Sequence, residues 1–291
     1  MDWLRVAASA EVDTRPRRVE ASGQALVVVR LADDGPVSVF ADQCPHRMLP
    51  LSAGRVVGGR LQCGYHGWGF DTAGRCTQVP SMEAGAAIPP RAALRVPGDV
   101  READGSVWFR PGPTADEEPA PPSLTNTDPA LRRGWHAVAL STEVATGETA
   151  VRLLGDDWLL RRDARDGCLQ ADPVPYAVRE LRGVIWLAPA EPMTDILEVP
   201  EDTDPGYPGR WMTPARTTSP AGLMADNFLD VAHFPFVHTS TFGAGQDPEV
   251  PAFDVHPEPG GFRSVQEQWF ANPEDPGVLA GLRPVRQRRR A

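Results

Sequence analysis

Lysine is missing: all 29 basic residues in this 291-residue sequence are arginine. Schiff-base catalysis, a P-loop lysine and a kinase-type lysine are thereby excluded. Positive charge is also in deficit, 29 basic against 39 acidic residues for a formal −10. Phosphate backbones are held by a basic excess, so nucleic acid is not expected as a partner. No apolar run approaches the roughly 20 residues that span a bilayer, and no membrane association is expected. The N-terminus, MDWLRVAASAEVD, opens on an acid and lacks the basic segment of an export signal. Cysteine is scarce, at Cys44, Cys63, Cys76 and Cys168. A cytoplasmic chain is expected, where thiols serve as metal ligands or buried hydrophobes rather than disulfides.

Glycine (27) and proline (31) are too abundant for a helical bundle and suit short strands joined by turns. The β-branched or aromatic runs at 25–31, 37–41, 106–110, 151–161 and 184–188 are bounded by Gly, Pro and Asp and predict strands. Repeated Pro among acids, without hydrophobic period, makes 114–130 a linker. The chain also repeats itself. Trp3-x-x-Val6-Ala7-x-Ser9-x-Glu11-Val12 recurs at Trp135 to Val144, a shift of 132, and Val100-Arg101-Glu102-x-x-Gly105-x-Val107-Trp108 recurs at Val178 to Trp186, a shift of 78. The second copy is shorter by the difference, 54 residues, and the missing block lies between the matched segments.

That block holds Cys44-Pro45-His46 and Cys63-Gly64-Tyr65-His66, with 16 residues between His46 and Cys63. Two thiolates and two imidazoles suit a structural zinc site. They also suit an iron-sulfur centre in which two cysteines take one iron and two histidines the other, raising the potential above that of an all-cysteine cluster. The spacing and the flanking residues CPHR and CGYHGWGFDTAGRC resemble the Rieske [2Fe-2S] family. Respiratory members of that family carry an extra cysteine near each ligand pair. Here Arg47 to Pro50 and Gly67 to Phe70 contain none, so the resemblance is to the lower-potential clusters of oxygenases and their ferredoxins. Cys76 and Cys168 read as small buried hydrophobes.

A second constellation lies in DNFLDVAHFPFVHTSTFG, residues 226–243. On a helix, Asn227, Asp230 and His233 form one polar stripe, and Pro235 would break the helix so that His233 and His238 face one metal. Two imidazoles and a carboxylate make the facial triad of non-haem Fe(II) oxygenases; a core helix carrying two satisfied histidines is the alternative. With the upstream cysteines and histidines, Asn-x-x-Asp-x-x-His-x-x-x-x-His resembles the motif of Rieske non-haem iron oxygenases, in particular the aromatic ring-hydroxylating and O-demethylating, phthalate- and vanillate-type branch.

That resemblance implies a fold that is mainly β and then α+β. Residues 1–113 would be the cluster domain, 131–192 a clusterless Rieske-like copy, and 193–291 the start of a helix-grip catalytic domain. It implies a [2Fe-2S] cluster on Cys44, His46, Cys63 and His66, and mononuclear Fe(II) on His233 and His238. Asn227 would lie near the iron. Asp230 would bridge, hydrogen-bonded to His233 and, across a subunit boundary in a homotrimer, to His66 of a neighbour. It further implies an NAD(P)H-dependent reductase or ferredoxin as donor, and hydroxylation or oxidative demethylation of a small aromatic or related molecule.

Two departures stand out. The extra half-copy lengthens the path from cluster to iron motif beyond the usual single-Rieske arrangement. The third iron ligand implied by the resemblance is a carboxylate further downstream, and Asp247, Glu249 and Asp254 do not occupy its position. A C-terminally truncated chain with weak mononuclear iron binding is therefore expected, and an electron-transfer module with an inactive catalytic site is the alternative. The ending LRPVRQRRRA reads as the start of a strand.

Overall fold

The computed structural model describes residues 2–112, 128–144, 147–198, 200–207, 217, 219, 221–258, 261–271, 276–281 and 286–290. By contact the chain forms two compact units. One comprises Met1–Glu118, Leu229–His256 and Arg263–Ala291, the other Pro119–Phe228 and Pro257–Phe262. Most of the expected linker 114–130 lies outside the described residues, which resume at 128. At its end the Asp128 carboxylate accepts from the Ala130 amide and opens a short 3-10 turn, Pro129–Arg133.

The first unit contains β1 (Leu4–Ala8), β2 (Arg17–Ala21), β3 (Gln24–Arg30), β4 (Val37–Ala41), β5 (Arg55–Val57), β6 (Arg60–Gln62), β7 (Gly69–Phe70), β8 (Cys76–Gln78), β9 (Gly98–Ala103) and β10 (Ser106–Pro111). They make three antiparallel sheets, in the orders β1-β10-β9, β2-β3-β4 and β5-β6-β7-β8. The unbroken apolar run of β3 follows from burial on both faces. Leu26 and Val28 join a core with Val39, Val107 and Phe109, while Val27 and Val29 join Phe40, Leu51, Leu61 and Phe70 beneath the Cys44 and Cys63 loops. Each such side chain contributes about 1.5–3 kcal/mol on burial. Near the C-terminus, Arg286–Arg290 is a strand, as expected, paired antiparallel with Glu267–Ala271.

In the second unit the repeat appears in strand register. β11 (His136–Leu140), β12 (Glu148–Leu153), β13 (Asp156–Arg162), β14 (Leu169–Asp172), β15 (Ala177–Leu181) and β16 (Val184–Ala188) form sheets β11-β16-β15 and β12-β13-β14. Leu4 faces Phe109 and His136 faces Leu187; the ladder slips between Arg5 and Ala7, and again between Ala137 and Ala139. These pairs coincide under the shifts of 132 and 78. Side chains follow: Trp108 Nε1 donates to the Ala103 carbonyl and Trp186 Nε1 to that of Leu181, while Arg101 lies over the Trp3 ring and Arg179 over Trp135.

Two expectations are corrected. Residues 151–161 are not one strand but parts of β12 and β13, turned at Leu154 (φ 52°) and Gly155 (φ 88°) as β2 and β3 are turned at Ser22 and Gly23. Two successive left-handed residues reverse the chain tightly. Cys168 is exposed rather than buried, because it ends the turn before β14, whereas Cys76 is buried beneath the cluster loops.

Candidate metal centres

Two loops of one backbone design hold the first donor set. The Cys44 amide donates to the Leu49 carbonyl and the Met48 amide to that of Cys44; likewise Cys63 donates to Trp68, and Gly67 to Cys63. The fifth residue of each loop is left-handed, Met48 at φ 57° and Gly67 at φ 69°. Each loop therefore turns its cysteine inward and presents a histidine two or three residues later. The first loop is anchored by Asp42, whose fully buried carboxylate accepts from the Ser52 amide and hydroxyl, both at 2.7 Å, and from Arg18 at 3.1 Å.

Ligands of one tetrahedral metal lie within about 4 Å of each other. Cys44, His46, Cys63 and His66 do not gather that closely. Among the described residues, the group of three His, Cys, Asp or Glu donors that comes together within 4.8 Å is His66, Asp230 and His233. The two thiols instead pair with each other by a hydrogen bond, and the His46 and His66 rings pair at 4.4 Å. Two pairs suit a two-iron cluster better than one zinc ion.

Metal binding needs thiolate and neutral imidazole; Cys63 and His46 already favour those forms, whereas Cys44 must give up its proton to the solvent on binding. The hydrogen bond from Cys44 brings Cys63 down to about 6, against its own burial, and the same bond pushes Cys44 up. Burial, with the charges of His66 and Arg47, lowers His46 to about 4 and keeps it neutral. Its Nδ1 is buried without a hydrogen-bond partner, and Trp68 stacks on the ring at 4.6 Å. His66 Nε2 is engaged by Asp230, which leaves Nδ1 as the nitrogen for a metal. The chemistry of this donor set fits a [2Fe-2S] cluster.

The second motif is folded differently from expectation. Helix α1 spans Ala221–Leu229 and stops before Asp230, so Asn227, Asp230 and His233 do not share one helical stripe. The Asp230 carboxylate accepts from the Ala232 amide at 2.9 Å, a local turn that competes with helix. Pro235 starts the next helix rather than breaking one: in α2 (Phe234–Val237) it sits in the first turn, where its missing N–H costs nothing. His233 and His238 are the caps of this single turn, and their rings come to 5.2 Å. Spacing of five is thereby met.

Asp230 Oδ2 bonds His66 Nε2 and lies 3.9 Å from His233 Nδ1. The second distance is too long for a hydrogen bond, so the expected bond to His233 is not formed. Burial opposes ionisation of Asp230, but the His66 hydrogen bond and charge, the Ala232 amide and the His233 charge outweigh it and hold the carboxyl low. Burial also lowers His233, which is 1% exposed with Nδ1 unpartnered. Phe236 covers the cluster loop, its ring where a Gly67 side chain would stand. That glycine carries the sequence signal for the contact, though only the structure shows its partner.

Asn227 is half-buried on α1. Asp247, Glu249 and Asp254 are exposed. His136 Nε2 donates to the Leu131 carbonyl at 2.7 Å, and His256 is exposed.

Comparison with known proteins defines the class first. Residues 2–96 match the Rieske [2Fe-2S] domain, and residues 217–290 match the vanillate O-demethylase oxygenase C-terminal domain. The two matched segments carry the two motifs, in line with the resemblance to Rieske oxygenases. It is 42% identical over 119 residues to 4beta-methylsterol monooxygenase of Methylococcus capsulatus (38% of this chain, 32% of that one). It is 38% identical over 117 residues to the methylxanthine N1-demethylase NdmA of Pseudomonas putida (40% and 32%). With the oxygenase component of dicamba O-demethylase from Stenotrophomonas maltophilia it shares 37% over 133 residues (45% and 38%). The matches thus span well under half of these relatives' length. A crystal structure of dicamba monooxygenase aligns over 55% of this chain and 52% of that one, at 31% identity and a TM-score of 0.36. No described helix is long and apolar enough to cross a membrane.

Proposed function

We propose that the chain acts as a Rieske-type oxygenase on a small aromatic or related molecule, by hydroxylation or oxidative demethylation. Electrons come from an NAD(P)H-dependent reductase or a ferredoxin. Cys44, His46, Cys63 and His66 hold the cluster, His233 and His238 hold mononuclear Fe(II), and Asn227 modulates that site. The observation that carries this reading is the trio His66, Asp230 and His233, which joins the two motifs at one buried point. When bound, the cluster stores electrons one at a time and the Fe(II) activates dioxygen.

The chain's residues supply the rest. Asp230 fixes the tautomer of His66 by taking Nε2 and leaving Nδ1 free. The turn at Ala232 orients the carboxylate, and α2 sets His233 beside His238. Tyr65 and Phe236 shield the junction from water. In domain terms, 1–113 carries the cluster, 131–192 is a clusterless copy, and 193–291 begins the catalytic domain. Four free cysteines support a reducing, cytoplasmic setting.

A second reading, an electron-transfer module with an inactive iron site, is favoured by the exposure of Asp247, Glu249 and Asp254. The test is NAD(P)H-coupled oxygen uptake with a competent reductase and a panel of methoxylated and carboxylated aromatics. Product matched to oxygen consumed supports the oxygenase. Cluster reduction without product supports the module.

A further inference from the structure

We infer that Trp68 is a positioning residue for the cluster: its indole, from the second loop, fixes the plane of the His46 imidazole in the first and keeps water from that ring. This rests on the reading of Cys44, His46, Cys63 and His66 as the cluster ligands.

Three observations carry it. The first is the stack itself. The Trp68 and His46 rings lie 4.6 Å apart and within 5° of parallel. His46 Nδ1 is buried without a hydrogen-bond partner, and the ring contacts found on His46 are aromatic, Trp68 on its face and His66 at 4.4 Å and 61°. A ligating imidazole is ordinarily oriented by a hydrogen bond to its other nitrogen. At His46 a flat contact takes that part.

Second, the backbone and the side chain of Trp68 serve different loops. The Cys63 amide donates to the Trp68 carbonyl at 2.9 Å and closes the second loop, where Gly67, left-handed at φ 69°, turns the chain. The indole leaves its own loop: partly buried on the core that holds Cys44, Leu51, Cys63 and Phe70, it lies against His46. One residue therefore clasps the two loops, and the plane of one ligand depends on the closure of the other ligands' loop.

Third, the repeat sets Trp68 apart from other tryptophans. Trp3 and Trp108 recur in the half-copy as Trp135 and Trp186, so they serve the strands that both copies build. Trp68 lies in the block that the clusterless copy lacks.

The charge balance gives the direction of the effect. Two ferric irons, two sulfides and two thiolates sum to zero, so the one electron received from the donor protein adds a net negative charge. An indole over His46 withholds water from that charge and presents a π face that is itself negative. Both oppose reduction, so loss of the indole favours it.

The test reads the midpoint potential at fixed pH and the EPR g values of the reduced protein, in the full, cluster-loaded chain. Trp68→Ala is expected to raise the potential and shift the g values. Trp68→Leu keeps apolar cover without a flat ring and should shift the g values, whereas Trp68→Phe should stay near wild type in both. Trp108→Phe should move neither. If Trp68→Ala takes up no cluster, Trp68→Leu and Trp68→Phe decide, and Trp68→Phe alone coloured with wild-type values supports the inference. A wild-type or lowered potential with wild-type g values in Trp68→Ala, or wild-type values in Trp68→Leu, would overturn it. So would a Trp68→Phe shifted as far as Trp68→Ala, or three colourless variants, which assign Trp68 to folding alone. Colourless wild-type protein would instead remove the cluster reading, so the two failures are distinct.

Discussion

His66 and Asp230 are hydrogen-bonded across a sequence separation of 164 residues. The imidazole belongs to a loop built for metal, and the carboxylate belongs to a turn that ends one helix and leads into another. The bond makes each motif depend on the other. His66 owes its free Nδ1 to Asp230, and Asp230 is held ionised partly by His66. A substitution at either residue should therefore be felt at both centres.

The first loop should fail when its anchor is removed. Asp42→Ala leaves the Ser52 amide and hydroxyl without their acceptor, removes one of the two carboxylates that Arg18 meets, and should cost about 2–3 kcal/mol, measurable by denaturant unfolding. Cluster absorbance should fall with it. Unchanged stability and colour would show that Asp42 does not hold the loop.

Gly67→Ala should release the 229–256 segment. A side chain there meets the left-handed φ, a cost of about 1–2 kcal/mol, and collides with the Phe236 ring. Faster proteolysis within this segment is expected, and Phe236→Ala in the same chain should relieve the collision while leaving the backbone strain. Equal cleavage rates for Gly67→Ala and wild type would contradict the contact.

The cysteines should separate into two classes. Cys63→Ser should yield colourless protein, whereas Cys76→Ser and Cys168→Ser should stay red-brown with the reduced-state EPR signal intact. Loss of the cluster in Cys168→Ser would contradict the ligand set.

Acid should loosen both β repeats in parallel. In the first, Glu102 is held below its ordinary 4.5 chiefly by the hydrogen bonds it accepts from Arg30; in the second, Glu180 is lowered by the nearby Ser141 hydroxyl and by its bond from Arg162. Because the folded value is depressed, these pairs stabilise the protein above the ordinary glutamate range, and the contribution is lost as pH falls through the folded values. Glu102→Gln and Glu180→Gln should each flatten the acid limb of the stability profile and leave its slope above pH about 6 unchanged.

Local patterns were legible wherever one residue type is demanded by one geometry. The repeat could be seen in Trp3 and Trp135, and in the turn glycines Gly23 and Gly155, because strand pairing fixes side chains and turns at constant offsets. The cluster loops could be seen because two thiolates and two imidazoles at fixed spacing have few other uses. The boundary of α1 could not, since helical periodicity continues through Asp230 and only the carboxylate's bond to the Ala232 amide ends the helix. Nor could the exposure of Cys168, which depends on the turn it closes rather than on its own polarity. Least visible was the partner of Asp230, which spacing along the chain does not indicate.

A two-iron cluster and a separate iron, joined through Asp230, are the metal complement proposed for this chain. Iron and acid-labile sulfide analysis of anaerobically purified wild type and His233→Ala tests it most directly. Because the third iron is expected to be held weakly, the proteins are analysed after incubation with excess Fe(II) and desalting: about three irons and two sulfides per chain are predicted for wild type, and about two of each for His233→Ala. Stoichiometric zinc without sulfide, or the same iron count in both proteins, would contradict it.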